Sequence, residues 1–448
     1  MGSLTQAQVL GAFVAEAKFD TLPDWAVTKA VDHTLDTLGV MLAGLGAEET
    51  LLVRQTIAAA SGTGPDAPMS PRDAALVRGV AAHAYELDDS GGCDHSGAVV
   101  WPAILSALSL SDRPVSGREV LLAMVLGYDL GRRVLMGFGG YVAHNDAGWH
   151  STGTCGVFGA AAAAARILGL DAAQTAAALG IAGSFASGTW AFIHDGAMNK
   201  RIHTGRTAES GLMAVLMARQ GMTGAAHVFE NVWGGFYRTY GHGPLSPEAL
   251  TDRLGEDWLI RDAAIKPHAC CRDTHAGIDA IARMQVRTPF AAQDVARIEA
   301  TLSPFLIGMV GGRDVSSMPA AQMSLPYGMA AQICFGAAGL DEYAPERRKS
   351  RETARMLDLI DIIEDETVKA SSAARVTLTL RDGRQFEERT THALGTPGNP
   401  MSTRAVRAKF DQMAGRTLTQ DRVRDVAACV LSLATCEDAR QLVQALAP

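Results

Sequence analysis

The amino-acid sequence predicts a mainly α protein, with a large all-helical domain and a smaller α+β domain. Apolar residues recur at helical spacing through most of the first 259 residues. After about Leu259, segments appear that alternate or run apolar as strands do, and the helical pattern returns from Ser402 to Ala447. We therefore expect an all-α domain at 1–263, an α+β domain at 264–400, and C-terminal helices at 401–448 that rejoin the all-α domain.

The helices of the first part have periodic apolar faces, and several have recognisable ends. Ser116 stands three residues before Glu119, as in a capping box, and Asp171 is placed to cap the next helix. Small residues on several sides of segment 156–168 indicate a helix packed on all sides at the centre of the domain. The predicted helices are 24–43, 73–87, 102–110, 117–136, 156–168, the helix from Asp171 through Leu179, and 209–220.

The smaller domain is predicted to contain strands as well as helices. Segments 295–302 and 374–380 read as strands, and residues 381–384 form a good hairpin turn between 376–380 and 385–389. Segments 324–336 and 350–360 read as helices.

Composition excludes several classes of protein. The net charge is −8 and the cationic residues are scattered, so we expect no nucleic-acid partner. No apolar run reaches the roughly 18 residues that span a bilayer, and no signal peptide is recognisable, so we expect a cytoplasmic protein without a membrane partner. The seven cysteines form no CxxC pair, which favours reduced thiols over a disulfide framework.

Five segments concentrate polar residues in apolar or glycine-rich surroundings. The first, 86–97, carries four carboxylates and a histidine, although a solvated loop would look the same. The second, 148–154, places hydroxyls and free backbone N–H groups at a helix start, where they favour an anion; simple capping by Ser151 or Thr152 explains the hydroxyls equally well but not His150.

The third segment, 199–206, is rich in cations. Lys200 and His203 are three residues apart and would share one helical face. Lys200 with Arg201 or Arg206 could hold a substrate carboxylate, or the segment could be a basic surface turn.

The fourth and fifth segments, 266–275 and 324–327, lie at or beyond the proposed domain boundary. Cysteine and histidine are close together in 266–275, but the spacing matches no common zinc pattern, so we expect no metal. The sequence lacks a Rossmann GxGxxG after a strand, a P-loop and a GxSxG elbow, so we expect no cofactor. What remains is acid–base chemistry by His, Lys and Tyr near cationic groups.

The order of these motifs resembles the MmgE/PrpD family over most of the chain. The resemblance rests on Gly148-Trp149-His150-Ser151-Thr152-Gly153-Thr154, Lys200-Arg201-Ile202-His203-Thr204-Gly205, Lys266-Pro267-His268-Ala269-Cys270-Cys271 with His275, and Ser324-Leu325-Pro326-Tyr327. It implies a helical domain and a smaller α+β domain, usually in a homodimer, with the site in the cleft between domains. It implies that the catalytic residues are His95, His150, Lys200, His275 and Tyr327. The expected substrate-binding residues are Glu86, Ser90, Thr152, Arg201, His203, Arg206 and Arg272.

One region departs from the family pattern. Glu86 and Ser90 stand where the family often has aspartate and threonine, the segment is about one residue shorter, and His95-Ser96 replaces His-Pro. This departure puts a methylcitrate or cis-aconitate substrate in doubt, but not the shared step of proton removal beside a carboxylate.

We therefore expect a cofactor-free enzyme that removes and returns a proton at a carbon next to a carboxylate of a small di- or tricarboxylic acid. The first hypothesis is an epimerase or isomerase of the iminodisuccinate type. The alternative is a lyase, such as a dehydratase of 2-methylcitrate or a related hydroxy-polycarboxylate. A third hypothesis is a non-catalytic carboxylate-binding protein.

Overall fold

The computed structural model describes residues 4–368 and 375–446. Within these residues the chain is mainly α with one four-stranded sheet, so the predicted fold class is confirmed. The predictions for Ala374, Ala447 and Pro448, and for residues 1–3 of the first domain, lie outside the described residues.

The part of the chain before residue 264 folds as a series of helices. Their bounds are α1 (Gln6–Glu16), α2 (Asp24–Gly44), α3 (Glu48–Ser61), α4 (Pro71–His83), α5 (Ser96–Ser109), α6 (Gly117–Met136), α7 (Tyr141–Asp146), α8 (Ser151–Thr154), α9 (Gly156–Leu168), α10 (Ala172–Ala182), α11 (Lys200–Arg219) and α12 (Phe236–Tyr240). The bounds predicted for α6 and α9 agree with the structure. The cap predicted at Asp171 is confirmed, and Asp171 makes a capping box with Gln174. At Ser116 only one half of the predicted capping box forms: Ser116 Oγ accepts from the Glu119 backbone N–H at 3.2 Å, while the Glu119 carboxylate pairs with Arg113.

Helix α9 lies at the centre of this helical part. Its alanines are buried, and α5, α6, α10 and α11 pack against it. Small side chains allow these helices to approach from several sides, as the sequence of α9 predicts.

Two glycines allow α4 and α11 to cross in close contact. A Cβ added at Gly205 would lie 2.4 Å from the Leu76 carbonyl O, and one added at Gly79 would lie 2.6 Å from the Gly205 Cα. Any side chain there would push the helices apart. The crossing therefore fixes where the start of α11, with Lys200 and Arg201, stands relative to the segment after α4.

The segment from 264 to 400 contains helices and the sheet. Its elements are α13 (His275–Arg287), β1 (Val295–Leu302), α14 (Pro304–Val310), α15 (Met318–Gln322), α16 (Leu325–Phe335), α17 (Pro345–Arg348), α18 (Arg351–Leu357), β2 (Ile360–Glu364), β3 (Arg375–Leu380) and β4 (Gln385–Arg389). The strand order is β2-β1-β3-β4, with β1 and β2 parallel and the other pairs antiparallel. The hairpin of β3 and β4 is confirmed, and Gly383 supplies a positive φ of 89° in its turn.

The helix predicted at 350–360 is wrong in its last part. Helix α18 ends at Leu357, and Ile360 begins β2, where it pairs with Ile298 of β1. A parallel partner more than sixty residues away decides this conformation, and local spacing does not reveal it.

Helices α19 (Thr403–Ala414), α20 (Gln420–Leu431) and α21 (Gln441–Ala445) follow the sheet. Helix α19 packs against α2, far back in the chain. One hydrophobic core joins residues of 7–265 with residues of 406–446, and a second forms around 269–393. The exact boundaries at 263/264 and 400/401 stay predictions. Among the described residues, none of the helices combines the length and apolarity that crossing a bilayer requires.

We expect Gly205→Ala to lower the free energy of unfolding by about 1–3 kcal/mol, because the added methyl group overpacks the crossing of α4 and α11. Urea denaturation of the variant and the wild type measures this difference. Gly46→Ala is the control, since nothing lies within 4 Å of a Cβ at Gly46. Equal stability of G205A, G46A and the wild type would contradict the account of the crossing.

Candidate active site

A buried carboxylate, that of Glu86, is surrounded by cations. Lys200 forms an ion pair with Oε1, Arg201 Nη1 donates to Oε1 at 2.8 Å, and Lys266 Nζ donates to Oε2 at 3.1 Å. Burial disfavours the charged carboxylate, but Lys200 and Lys266 outweigh it and hold the pKa of Glu86 well below its usual range. Glu86 is therefore ionised at neutral pH and connects α11 with the segment that leads into α13.

The backbone at Glu86 is strained. Its φ is +53°, a left-handed conformation that favours glycine over a long side chain. Helix α4 ends at His83, three residues before this left-handed residue, so the prediction that the helix runs to Leu87 is wrong. The turn directs the side chain of Glu86 toward the start of α11, and the ion pairs hold it there.

His95 stands immediately before α5 between two carboxylates. Its Nδ1 lies 3.0 Å from Asp88 Oδ2 and also 3.0 Å from the Asp89 carbonyl O, and its Nε2 lies 3.5 Å from Asp94 Oδ2. Burial opposes the charge, but Asp94 and Asp88 outweigh it and raise the pKa of His95. The imidazolium form is therefore favoured.

His150 is fully buried just before α8. Its Nδ1 lies 2.8 Å from Nδ1 of His203, and its Nε2 lies 3.5 Å from Asp94 Oδ2. Burial, and secondarily His203, lower the pKa of His150 well below its usual range. The ring is neutral, and Asp94 stands between it and His95.

A cavity of about 370 Å³ lies beside these groups, at the low end of the size range of small-molecule pockets. Of the residues expected at the site, it is lined by Glu86, Ser90, His95, Lys200 and Arg272. Other lining residues are Asp94, Arg132, Tyr141, Trp190, Asp262, Cys271 and Asp273. The Lys200 Nζ lies 5.6 Å from the ring centroids of both Trp190 and Phe192. The cavity lies between the helical part and the segment that begins at 264, which are joined here by two backbone hydrogen bonds between Ser90 and Ala264.

Asp273 is an acid whose charge depends on pH near neutrality. Burial, and secondarily the negative charge of Asp94, raise its pKa to about 6. Its nearest described polar partner is the Cys271 Sγ at 3.9 Å from Oδ2. The carboxyl is therefore neutral below about pH 6 and adds a negative charge to the cavity above it.

Several of the expected residues lie one layer behind the cavity. Thr152 contacts Asp94 through its hydroxyl, at 3.5 Å, and Arg201 reaches from Glu86 to Gln322 Oε1, at 2.8 Å. His203 lies behind His150, and His275 lies behind Arg272, whose Nη1 is 3.0 Å from Nδ1 of His275. Burial, and secondarily Arg272, lower the pKa of His275 well below its usual range.

Two expected residues lie apart from the cavity. Tyr327 donates its hydroxyl to the Glu342 carbonyl O and packs edge-on against Tyr343, in the core around the sheet. Arg206 forms an ion pair with Glu209 on the outer side of α11, and its side chain is 53% exposed. The structure thus separates Arg206 from Lys200 and Arg201, because a helix carries residues six apart to different faces.

The sequence analysis missed several residues of this region. Lys266 and Asp273 belong to segment 266–275, which was singled out, yet only Arg272 and His275 of that segment were selected as site residues. Arg132 stands in the middle of the apolar helix α6, where a charged residue is a recognisable signal. Trp190 lies outside the five polar segments, and nothing in the sequence indicates that it faces Lys200.

Two groups of three side chains among the described residues have donors close enough to share a cation. They are His83 with Asp88 and His95, and Asp94 with His95 and His150. His95 belongs to both, and its hydrogen-bonded, charge-favoured ring competes with metal binding, which needs a neutral imidazole. The donor set is therefore better suited to proton transfer.

Comparisons with known proteins identify the family of this chain. Residues 8–248 match the model of the MmgE/PrpD N-terminal domain, and residues 268–435 match that of the C-terminal domain. The cis-aconitate decarboxylase-like protein oryM of Aspergillus oryzae is 30% identical over 397 residues, which cover 83% of this chain and 82% of the relative.

The cis-aconitate decarboxylase of Aspergillus terreus is also 30% identical, over 84% of this chain and 81% of its own length. That of Mus musculus is 29% identical over 96% and 91% of the two chains. The two matches together cover most of the helical part, the sheet and the residues that line the cavity, apart from Asp262 and Ala264. The chain belongs to the MmgE/PrpD family.

Proposed function

We propose that this protein is a lyase that decarboxylates a small polycarboxylic acid of the cis-aconitate type. The observation that carries the proposal is the cavity of about 370 Å³, in which Lys200, His95, Arg132 and Arg272 meet beside the buried His150. Such a group of cations fits several carboxylates. The similarity to cis-aconitate decarboxylases supports the choice of reaction.

The surrounding charges favour an anionic ligand. The side chains of three basic residues, Lys200, Arg201 and Lys266, surround Glu86 and the neighbouring Asp88. Glu86 and Asp88 compensate two of these three cations. The other charged residues of the cavity, His95, Arg132 and Arg272 against Asp94, Asp262 and Asp273, compensate one another, so one positive charge is left. A substrate carboxylate near Lys200 completes the balance.

Decarboxylation needs charge stabilisation and a proton. The carbon–carbon bond to the departing carboxylate breaks, and its electron pair shifts into the remaining unsaturated acid. Lys200 and Arg272 hold the remaining carboxylates and the delocalised negative charge, which is the largest contribution that such a site makes. A histidine at the cavity then delivers the proton to carbon.

The sequence favours an epimerase of the iminodisuccinate type first and a lyase second. The relatives reverse this order, because those described here are cis-aconitate decarboxylases or resemble them. Epimerisation, dehydration of a hydroxy-polycarboxylate, and carboxylate binding without turnover are therefore the alternative outcomes of the assay.

We expect purified, chelator-treated protein to release CO₂ from cis-aconitate and to incorporate one deuterium from D₂O into the product. Proton NMR and CO₂ detection measure the two events. 2-Methylcitrate and iminodisuccinate are assayed in parallel. Alkene formation without CO₂ would replace decarboxylation by dehydration, and deuterium exchange with inverted configuration would replace it by epimerisation. Activity that returns only with added metal would contradict the cofactor-free mechanism.

We expect Lys200→Met to lower kcat/KM by roughly 10²-fold or more, because the charge that stabilises the transition state is lost. Arg206→Met is the matched control, since Arg206 pairs with Glu209 outside the cavity, and we expect it to keep kcat/KM within about threefold. Steady-state kinetics of the two variants decide the point. Similar losses of kcat/KM in both variants would contradict the assignment of Lys200, rather than Arg206, to the substrate-binding side of α11.

We expect KM for the polycarboxylate to rise as pH increases through about 6, because Asp273 becomes negatively charged beside the substrate. The expected rise is roughly tenfold, equal to about 1.4 kcal/mol of repulsion. Asp273→Asn is the control for ionisation of the substrate itself. The variant loses the pH dependence of KM that comes from Asp273 but keeps the part that comes from the substrate. Identical pH dependence of KM in the wild type and D273N would contradict the position given to Asp273.

A further inference from the structure

The contact between His150 and His203 joins two nitrogens of the same kind. The two Nδ1 atoms lie 2.8 Å apart, a hydrogen-bond distance. One nitrogen must donate and the other must accept, so a neutral pair holds one proton between the rings. The contact therefore couples the tautomers: a proton on His150 Nδ1 leaves its Nε2 bare, and a proton on His203 Nδ1 places the proton of His150 on Nε2.

Both rings are neutral under ordinary conditions. Burial lowers the pKa of His150 well below its usual range and that of His203 to about 4. His83 and Lys200 also disfavour a charge on His203. At neutral pH, therefore, a single proton lies between Nδ1 of His150 and Nδ1 of His203.

Asp94 selects between the two tautomers. Its Oδ2 lies 3.5 Å from His150 Nε2. Burial opposes its negative charge, but His95 and His150 outweigh burial and lower its pKa, so Asp94 is ionised. Nδ1 of His95 faces Asp88 and the Asp89 carbonyl O, and the raised pKa of His95 favours the imidazolium form, whose Nε2–H points to Asp94 as well. If Nε2 of His150 were bare, its lone pair would face the negatively charged Asp94 carboxylate, which is unfavourable. If Nε2 carries the proton, the N–H points to that carboxylate, which is favourable.

The orientation of both rings is fixed by packing. The ring of His150 meets Trp190 and Phe192 edge-on, with centroids at 4.9 and 5.9 Å, and its backbone N–H donates to the Gly188 carbonyl O at 3.1 Å. A Cβ at Gly188 would come within 3.3 Å of the His203 ring. The rings cannot exchange their nitrogens by turning without displacing these neighbours.

We propose that His203 is a positioning residue whose Nδ1–H donates to Nδ1 of His150, which places the proton of His150 on Nε2 beside Asp94 and lets His150 return a proton, through Asp94, to His95 at the cavity. This inference rests on the proposed decarboxylation. It differs from the expectation that His203 binds substrate and that His150 serves equally well as base or acid.

The proton balance follows from this arrangement. As the bond to the departing CO₂ breaks and its electrons shift, carbon takes a proton from His95 Nε2 at the cavity, and His150 Nε2 returns a proton to His95 through Asp94. His150 Nδ1 takes the proton of His203 Nδ1, and the partly exposed His203 takes one from solvent at Nε2. After product release, the reverse transfers, with water in the cavity as donor, restore the tautomers. One solvent proton is consumed in each turnover.

Two isosteric substitutions at position 203 test the inference. The side-chain amide of His203→Asn can still donate to His150 Nδ1, whereas the carboxylate of His203→Asp can only accept and draws the proton of His150 to Nδ1. We expect H203N to keep kcat within about threefold. We expect H203D to lose roughly 10²-fold or more in kcat, with KM changed much less.

The tautomer itself is measured without substrate, by ¹⁵N NMR of histidine-labelled protein with His150 assigned through H150Q. We expect a protonated Nε2 and a bare Nδ1 on His150 in the wild type and H203N, and the opposite in H203D. A bare Nε2 in the wild type, or wild-type kcat in a folded H203D, would overturn the inference. Absence of turnover with every acid would instead defeat the proposed function, and the NMR result would still decide the tautomer.

Discussion

The position of the candidate site depends on the buried carboxylate of Glu86. Lys200 and Arg201 approach it from α11, and Lys266 approaches it from the segment that leads into α13. Three cations cannot be buried this closely without a counter-charge, and a buried carboxylate needs such partners. The same interaction therefore holds the helical part against the part that contains the sheet and determines which atoms face the cavity.

Other features of the region serve this arrangement. Gly79 and Gly205 let α4 and α11 approach closely, so the end of one helix and the start of the other meet at Glu86. Arg201 continues beyond Glu86 to Gln322 of α15. On the far side of the cavity, His95, Asp94 and His150 form a chain of titratable groups whose charges are set by their neighbours. In the proposed decarboxylation, the cations hold the substrate carboxylates and the neighbouring titratable groups transfer the proton.

The sequence predicts much of the fold because the packing of this protein is largely local and helical. Apolar periodicity gives the bounds of α6, α9 and β1 as the structure has them. Strand β2 was missed because its conformation comes from pairing with β1, and α11 was predicted to begin too late because its first turns are polar and face the site. Sequence patterns fail where a distant partner or a functional side chain decides the structure.

The candidate site was predicted as a set of segments but not as a geometry. His95 and Lys200 do line one cavity, whereas His150, His203 and His275 lie one layer behind it. Spacing along the chain cannot tell a group that lines a cavity from one that supports it, since both are polar and buried. For the same reason Lys266, which contacts Glu86, was passed over, and Arg206, which faces solvent, was included.

The most direct test of the central claim is a crystal structure with tricarballylate, a saturated triacid that lacks the double bond needed for the reaction. The account predicts that this molecule occupies the cavity between the two parts of the chain, with carboxylates on Lys200 and Arg272 and with its carbon chain beside His95 and Asp94. Density for the triacid at another place on the protein, with this cavity filled only by water, would contradict the account.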